Sequence, residues 1–383
     1  MPAKPLSSEG AADVAAIAAR CAAASEQRRQ LDPDVVKSVV DAGFARHFVP
    51  VGAGGHAGTF ADLAAAVVTV GEACAATAWC ASLSASMSRM AGAFLPVEGQ
   101  RVIWAGGPDA VIVGSVTPLG RAEERDGGWM VSGRWPYISL VEFSDWALVC
   151  AVVSSEGAEP VAKLFALPRG AYRIEDTWFN VGMQATGSNT IVVEDAFVPR
   201  PLAFDRADLF AGNVVESPDA EAPCYAAPLQ AVNGLSFVLP ALGAARGALA
   251  AFAGYIANKI RTAPALPGVP GVQGNRATYE MAFARSAGEI DAAHLLLERA
   301  VGVADQGAAT TPAETAQNLR DCSLAVDMLV TAVDRIFRTA GTTGQSSKGS
   351  LHRFWRDVNS ISTHMAIQFE PAARLYATET LKV

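Results

Sequence analysis

The stretch that decides the fold runs from Phe337 to His364, FRTAGTTGQSSKGSLHRFWRDVNSISTH. It opens in the last turn of a helix predicted over about Pro312 to Thr339. It then crosses a glycine- and serine-rich loop, GTTGQSSKGS, and enters a helix predicted over about Arg353 to Ala377. His364 is expected near the middle of that last helix, eight residues after the pair Arg356-Asp357. The loop lacks the GK[ST] core that a P-loop uses on phosphates. None of the five histidines has a second one four residues away, and no acidic cluster accompanies them, so no metal site is expected. His364 is thus a candidate for proton or hydrogen-bond chemistry near neutral pH.

Upstream of this stretch the helical period persists. GLSFVLPALGAARGALAAFAGYIANKIR reads as one long helix with small residues on a face. The linker APALPGVPGVQG separates it from a second helix, ATYEMAFARSAGEIDAAHLLLERAVGVADQG. Four long alanine-rich helices argue for a bundle over residues 216–383. Residues 205–225 read as a loop. Between Val111 and Pro199 the pattern changes to short alternating runs, VIVGSV, GWMVSGRW, WALVCAVV, KLFALP and NTIVVEDAFVP. Gly127-Gly128 suits a hairpin turn. Five or more such strands predict a small β-sandwich or barrel over 111–215.

Residues 1–110 read as helical. Asp32-Pro33 forms an N-cap with proline at the first helical position, and Gly43 ends that helix. A single long helix is expected from about Phe60 to Ala85. The intervening VGAGGHAG matches a dinucleotide-binding glycine pattern only superficially, since no strand precedes it and no acid follows at the right distance. No nucleophile elbow is present, which argues against a serine hydrolase. The fold class is therefore α+β, mostly α, with helical, β and helical-bundle domains in that order.

Of the 383 residues, 51% are hydrophobic and 18% charged, with a net charge of −8. This balance excludes a disordered chain and disfavours a nucleic-acid reader. The longest uncharged stretch, Ala222 to Ala245, carries three prolines and suits a membrane span poorly. No signal peptide is apparent, so a cytoplasmic protein is expected. The six cysteines form no CxxC pair and read as buried thiols.

FRTAGTTG, LHRFWRDV and the histidine beyond them resemble the C-terminal helices of the acyl-CoA dehydrogenase superfamily. DPDVVKSVVDAGFARHFVPVGAGG resembles its first helices. GSVTPLG with GGWMVSGRWPYISLVEFSDWALV, and DTWFNVGMQATGSNTIVVEDAFVP, resemble its flavin-binding β domain. A dehydrogenase of that superfamily needs a carboxylate base. The usual position holds Met365, and no Asp or Glu lies between Glu221 and Glu280, so hydride abstraction lacks its partner. Phe354-Trp355-Arg356-Asp357 followed by His364, with Tyr137-Ile138-Ser139, is instead similar to the flavin-dependent monooxygenase branch.

That resemblance implies the oxygenase component of a two-component system. It would use FMNH2 or FADH2 from a separate flavin reductase, with O2, and oxygenate an aromatic or polyketide-type molecule through a C4a-hydroperoxyflavin. It implies His364 and Ser139 as catalytic residues, with Tyr137 flanking the flavin ring and Ser115 and Thr117 beside it. Gly341 and Gly344 would admit the cofactor phosphate, and Arg261 would bind phosphate from a neighbouring subunit of a homotetramer. Related phenol hydroxylases often carry a second histidine where this chain has Ser86, Met87 and Ser88. The alternatives are an N-oxygenase of the same fold, a dehydrogenase with an atypical base, and a non-catalytic oligomeric binding protein.

Overall fold

The computed structural model describes residues 4–154, 159–262 and 276–382. The expected linker at 263–274 lies outside them. The chain begins with α1 (Ser8–Arg28) and α2 (Pro33–Ala42), followed by α3 (Phe60–Gly71), α4 (Ala75–Phe94) and α5 (Val97–Ile103). Local chemistry sets the ends. Ser7 accepts from the Gly10 amide and Asp32 from the Asp34 amide, while Gly43 closes α2 at φ +97°. VGAGGHAG forms a 3-10 turn at Val51–Ala53 and a loop, with no preceding strand.

The single helix expected from Phe60 to Ala85 is two helices. The end of α3 packs closely on the helix Leu229–Thr262. A Cβ on Gly71 would stand 3.0 Å from the Gly243 Cα and 3.1 Å from the Pro240 carbonyl. Backbone meets backbone there, and the chain turns away through Cys74, which is extended at φ −156°. It restarts as α4, whose burial is almost complete.

Seven strands form one mixed sheet, in the order β5-β6-β2-β1-β3-β4-β7. They are β1 (Ile112–Arg125), β2 (Gly128–Ile138), β3 (Trp146–Val153), β4 (Val161–Pro168), β5 (Arg173–Glu175), β6 (Asn189–Pro199) and β7 (Ala203–Asp205). The β1–β2 hairpin turns at Asp126-Gly127, with Arg125 opposite Gly128. β1 also pairs parallel with β3, and its register slips between Ser115 and Pro118. β2 slips against β6 between Trp135 and Ile138. Pro136 lies in that gap and has no amide to give the ladder. Beyond it Tyr137 adopts φ +66°.

The segment expected as loop at 205–225 holds two short helices, α6 (Arg206–Ala211) and α7 (Pro223–Ala226). The bundle follows: α8 (Leu229–Thr262), α9 (Arg276–Ala304), α10 (Pro312–Ala340), α11 (Leu351–Ser362) and α12 (Phe369–Leu381). Pro240 sits inside α8. It has no N–H for the carbonyl four residues back, and the Ser82 hydroxyl of α4 donates to that Ser236 carbonyl at 3.0 Å. The window of Leu229–Arg261 apolar enough to cross a membrane is 67% buried within the protein.

The last helix is also interrupted. α11 ends at Ser362, and Met365–Ile367 form a 3-10 turn before α12. Gln368 Nε2 donates to the carbonyls of Ser362 (2.9 Å) and His364 (3.0 Å), satisfying the end of the broken helix. His364 is therefore not mid-helix. It caps the 3-10 turn.

Alanine normally strengthens a helix interior by about 1 kcal/mol over glycine. At Gly243 the sign reverses, because the new Cβ would come within 2.7 Å of the Gly71 Cα. Gly243→Ala should destabilise the protein by about 1–3 kcal/mol, read as a lower midpoint of chemical denaturation.

Candidate active site

The site is built outward from α11. Arg356 donates to the Val181 carbonyl at 2.7 Å and pairs with Glu26 of α1. The buried Asp357 carboxylate accepts the Met183 amide at 2.6 Å. Gly182, between them, lies so close to the Arg356 carbonyl and Ser360 Oγ that no side chain fits. The segment after β5 is thus pinned to α11. Burial pushes the Asp357 carboxyl up to about 7, against the pull of the Met183 amide.

Met183 is held at φ +55°. Its carbonyl receives Trp178 Nε1–H at 3.0 Å and the Thr186 hydroxyl at 2.8 Å. Because Thr186 donates there, it accepts from Ser188 Oγ at 2.6 Å. Ser188 in turn accepts from Ser139 Oγ at 2.8 Å. Ser139 accepts from Trp79 Nε1–H at 3.0 Å. The proton order along this chain follows from its fixed end, since each hydroxyl has one hydrogen to give. Ser139 thus has its hydrogen committed and one lone pair left over.

Trp79 joins the two predicted catalytic residues. Its indole lies edge-on to the His364 ring, centroids 5.7 Å apart at 71°. His364 also stacks on Phe237 at 3.8 Å and 24°, and Phe237 lies 5.2 Å from Trp79, so the three rings form one cluster. The His364 Nδ1 accepts the Ala366 amide at 3.2 Å, so the proton of the neutral ring is on Nε2. Burial in this cluster lowers the imidazole to about 4 from 6.5. The sequence suggested proton or hydrogen-bond chemistry near neutral pH. The structure instead holds a neutral imidazole whose Nε2–H is a donor.

The other expected positions are placed as follows. Tyr137 follows the β2 slip and is 72% exposed, its ring 6.2 Å from that of Trp178. Ser115 and Thr117 lie in the β1 slip, where the Thr117 amide donates to Ser115 Oγ at 3.3 Å. Gly341 takes φ +62° at the end of α10, with open space where a Cβ would be. Gly344 is tight for a packing reason: its Cβ would stand 2.8 Å from that of Ala340. Arg261 is bonded to Asn258 at 3.0 Å. It lies about 36 Å along α8 from Phe237, so only another copy's Arg261 could approach this site. Ser86 of α4 pairs with Ser236 Oγ of α8 at 2.7 Å, whereas Met87 and Ser88 are buried.

Sequence reading missed Trp79, Phe237 and Ser188. Trp79 sits in an apolar helix where a tryptophan reads as core, and Ser188 was one of several hydroxyls. A flavin suits the residues that converge. Exposed aromatic surface at Tyr137 offers a flat apolar face. The spare Ser139 lone pair can accept an N–H, and the Thr117 hydroxyl makes no hydrogen bond among the described residues.

The fold and site define an oxidoreductase of the acyl-CoA dehydrogenase architecture, and residues 235–369 match the family described as acyl-CoA dehydrogenase, C-terminal domain. The flavin-dependent monooxygenase oxygenase subunit HsaA of Rhodococcus jostii (strain RHA1) is 30% identical over 366 residues, covering 92% of each chain. The oxygenase component of an FADH(2)-dependent resorcinol hydroxylase from Rhizobium sp. (strain MTP-10005) is 28% identical, over 93% of this chain and 89% of its own. The crystal structure of the 3-HSA hydroxylase from Rhodococcus sp. RHA1 superposes with a TM-score of 0.90 at 26% identity, covering 98% of this chain and 96% of that one. The chain belongs to the family of oxygenase components of flavin-dependent monooxygenases, enzymes that use reduced flavin and O2.

His364 should stay neutral throughout the usual assay range. Its depressed pKa also means that the unfolded chain takes up the proton first, so stability falls as pH drops from 6.5 towards 4. Nitrogen-detected NMR of the imidazole should show no titration near 6.5 in the native protein. Phe237→Ala, by wetting the ring, should restore one close to that value. A native His364 titrating near 6.5 would contradict the burial argument.

Proposed function

We propose that this chain is the oxygenase half of a two-component system that hydroxylates an aromatic small molecule, with reduced flavin delivered by a separate reductase. The observation that carries the reading is Trp79. One indole donates to Ser139 and flanks His364, which brings two residues from different domains to a single point. The names of the relatives support the substrate class. One of them is called FADH(2)-dependent, which favours FADH2 over FMNH2.

Reduced flavin, when bound, supplies the electrons that activate O2. The residues of this chain do the rest. Tyr137 offers a face to the ring system, and Ser115 and Thr117 offer hydroxyls to its polar edge. Ser139, with its hydrogen held by Ser188, presents a lone pair that can take an N–H. A donor or acceptor fixed in advance needs no reorganisation during the reaction. His364 presents Nε2–H to an oxygen of the substrate or of activated O2, and a donor there stabilises negative charge. Phe237 and Trp79 keep water from that oxygen. Gly341 leaves space for a cofactor phosphate, and Arg261 of a neighbouring copy supplies charge to it in a homotetramer. Gly344, though it adjoins that loop, is accounted for by packing. The protein works in the cytoplasm, where the reductase regenerates the flavin.

The test mixes protein loaded with FADH2 or FMNH2 with oxygen and a panel of phenols. Product and released H2O2 are then measured. Wild type should form hydroxylated product. His364→Ala should lower product formation about 100-fold with flavin affinity unchanged. Ser139→Ala, and to a lesser extent Trp79→Phe, should divert reduced flavin into H2O2. Absence of hydroxylated product from every phenol with either flavin would refute the reading.

A further inference from the structure

An acid at position 357 is costly for a purely structural role. Asp357 is 3% exposed, and its only side-chain hydrogen bond among the described residues is the one from the Met183 amide. An asparagine oxygen would accept the same amide without burying a charge. No ion pair offsets that charge. The two cations of its own helix are Arg353 and Arg356. Arg356 is spent on Glu26 and the Val181 carbonyl. Arg353 makes no ion pair among the described residues, and its Nε is buried without a partner. Glu26 of α1 adds negative charge, and the Cys74 thiol before α4 lies within electrostatic reach. Arg246 of α8 and Asp334 of α10, on the other helices packed against α11, are engaged by Glu72 and Trp355.

What the charge does can be traced through Met183. This residue sits at φ +55°, a conformation that an L side chain rarely adopts. Its carbonyl takes the Trp178 indole and the Thr186 hydroxyl at 3.0 and 2.8 Å. Relaxation to negative φ would swing that carbonyl away from both donors, and the bond to Asp357 opposes it. A carboxylate accepts an amide roughly twice as strongly as a neutral oxygen does. Burial raises the Asp357 carboxyl to about 7, so the strong and weak forms of the bond exchange near neutral pH. Release at Met183 frees the Thr186 hydroxyl to turn, and the order through Ser188 to Ser139 is lost. Ser139, no longer donating to Ser188, then accepts more weakly from Trp79.

We propose that Asp357 is a positioning residue for the oxygenation: its carboxylate locks Met183, and through it the Ser139 hydroxyl, and so sets how much reduced flavin goes to product rather than to H2O2. The inference rests on the monooxygenase reading and deepens it by one residue that acts through others.

Two readouts test it, and the first needs no flavin. The Trp79 indole N–H is followed by proton–nitrogen NMR, its signal assigned by its loss in Trp79→Phe. In wild type it should move as pH passes about 7, upfield on the acid side, where its bond to Ser139 weakens. In Asp357→Asn it should stay at the acid-side position throughout. The second readout is the ratio of hydroxylated product to H2O2 with FADH2 and the phenol that turns over best. At about pH 8, where the wild-type carboxyl is ionised, Asp357→Asn should lower that ratio about fivefold. At about pH 6 the variant and wild type should agree, because both then offer a neutral oxygen. Asp357→Ala should give a low ratio at both. Asp357→Asn should also fold. A carboxyl raised in the native state makes stability fall as pH climbs from about 4 to about 7, so at about pH 8 the variant should unfold at no lower denaturant concentration than wild type. A Trp79 signal indifferent to pH, a shift that persists in Asp357→Asn, or a ratio in Asp357→Asn that matches wild type at about pH 8 would overturn the proposal. Absence of product from wild type would instead refute the monooxygenase reading, and the flavin-free signal would still decide whether Asp357 controls Ser139.

Discussion

The hydrogen bond from the Met183 amide to the buried Asp357 carboxylate, 2.6 Å long, is the contact on which the site depends. It joins the β domain to the bundle at a point where no side chain fits between them, since Gly182 lies against the α11 backbone. With Met183 fixed at φ +55°, its carbonyl becomes the terminus of a hydroxyl chain through Thr186, Ser188 and Ser139. A chain of hydroxyls has two possible directions. Anchoring one end to a carbonyl selects one, and the selection travels to Trp79. A buried bond between α11 and the segment before β6 thereby decides which way the Ser139 hydroxyl points.

Aromatic enclosure does for His364 what the hydroxyl chain does for Ser139. Burial beside Phe237 and Trp79 disfavours the charged form, and the Ala366 amide occupies Nδ1. The ring is left with a single role, donation from Nε2. Such a donor stabilises an oxygen that gains negative charge.

Much of this was legible in the chain. The three-part order, the Asp32-Pro33 helix start, the Gly43 stop and the long helix read from Gly234 follow from periodicity and capping chemistry, which act within a few residues. What periodicity could not register was interruption imposed from outside. The break after Gly71 falls at a close crossing with Gly243, and the break at Thr363 is completed by Gln368 reaching back to two carbonyls. Both involve residues far from the helix signal, or one amide side chain among many. The same holds for the site. Ser139 and His364 could be named from motifs, but their convergence through Trp79 and Phe237 is a property of packing. No spacing in the sequence encodes it.

Pro240 carries one more implication. A proline in a helix interior leaves a carbonyl unfilled, at a cost of about 1–3 kcal/mol when buried, and Ser82 on α4 fills it. The two positions are bound in their evolutionary history. Loss of the hydroxyl at 82 is harmful only while proline stands at 240, and a residue with an amide at 240 would release 82 to vary. Among descendants of this sequence position 82 should lose its hydroxyl only where position 240 has lost its proline, although their side chains share no direct bond.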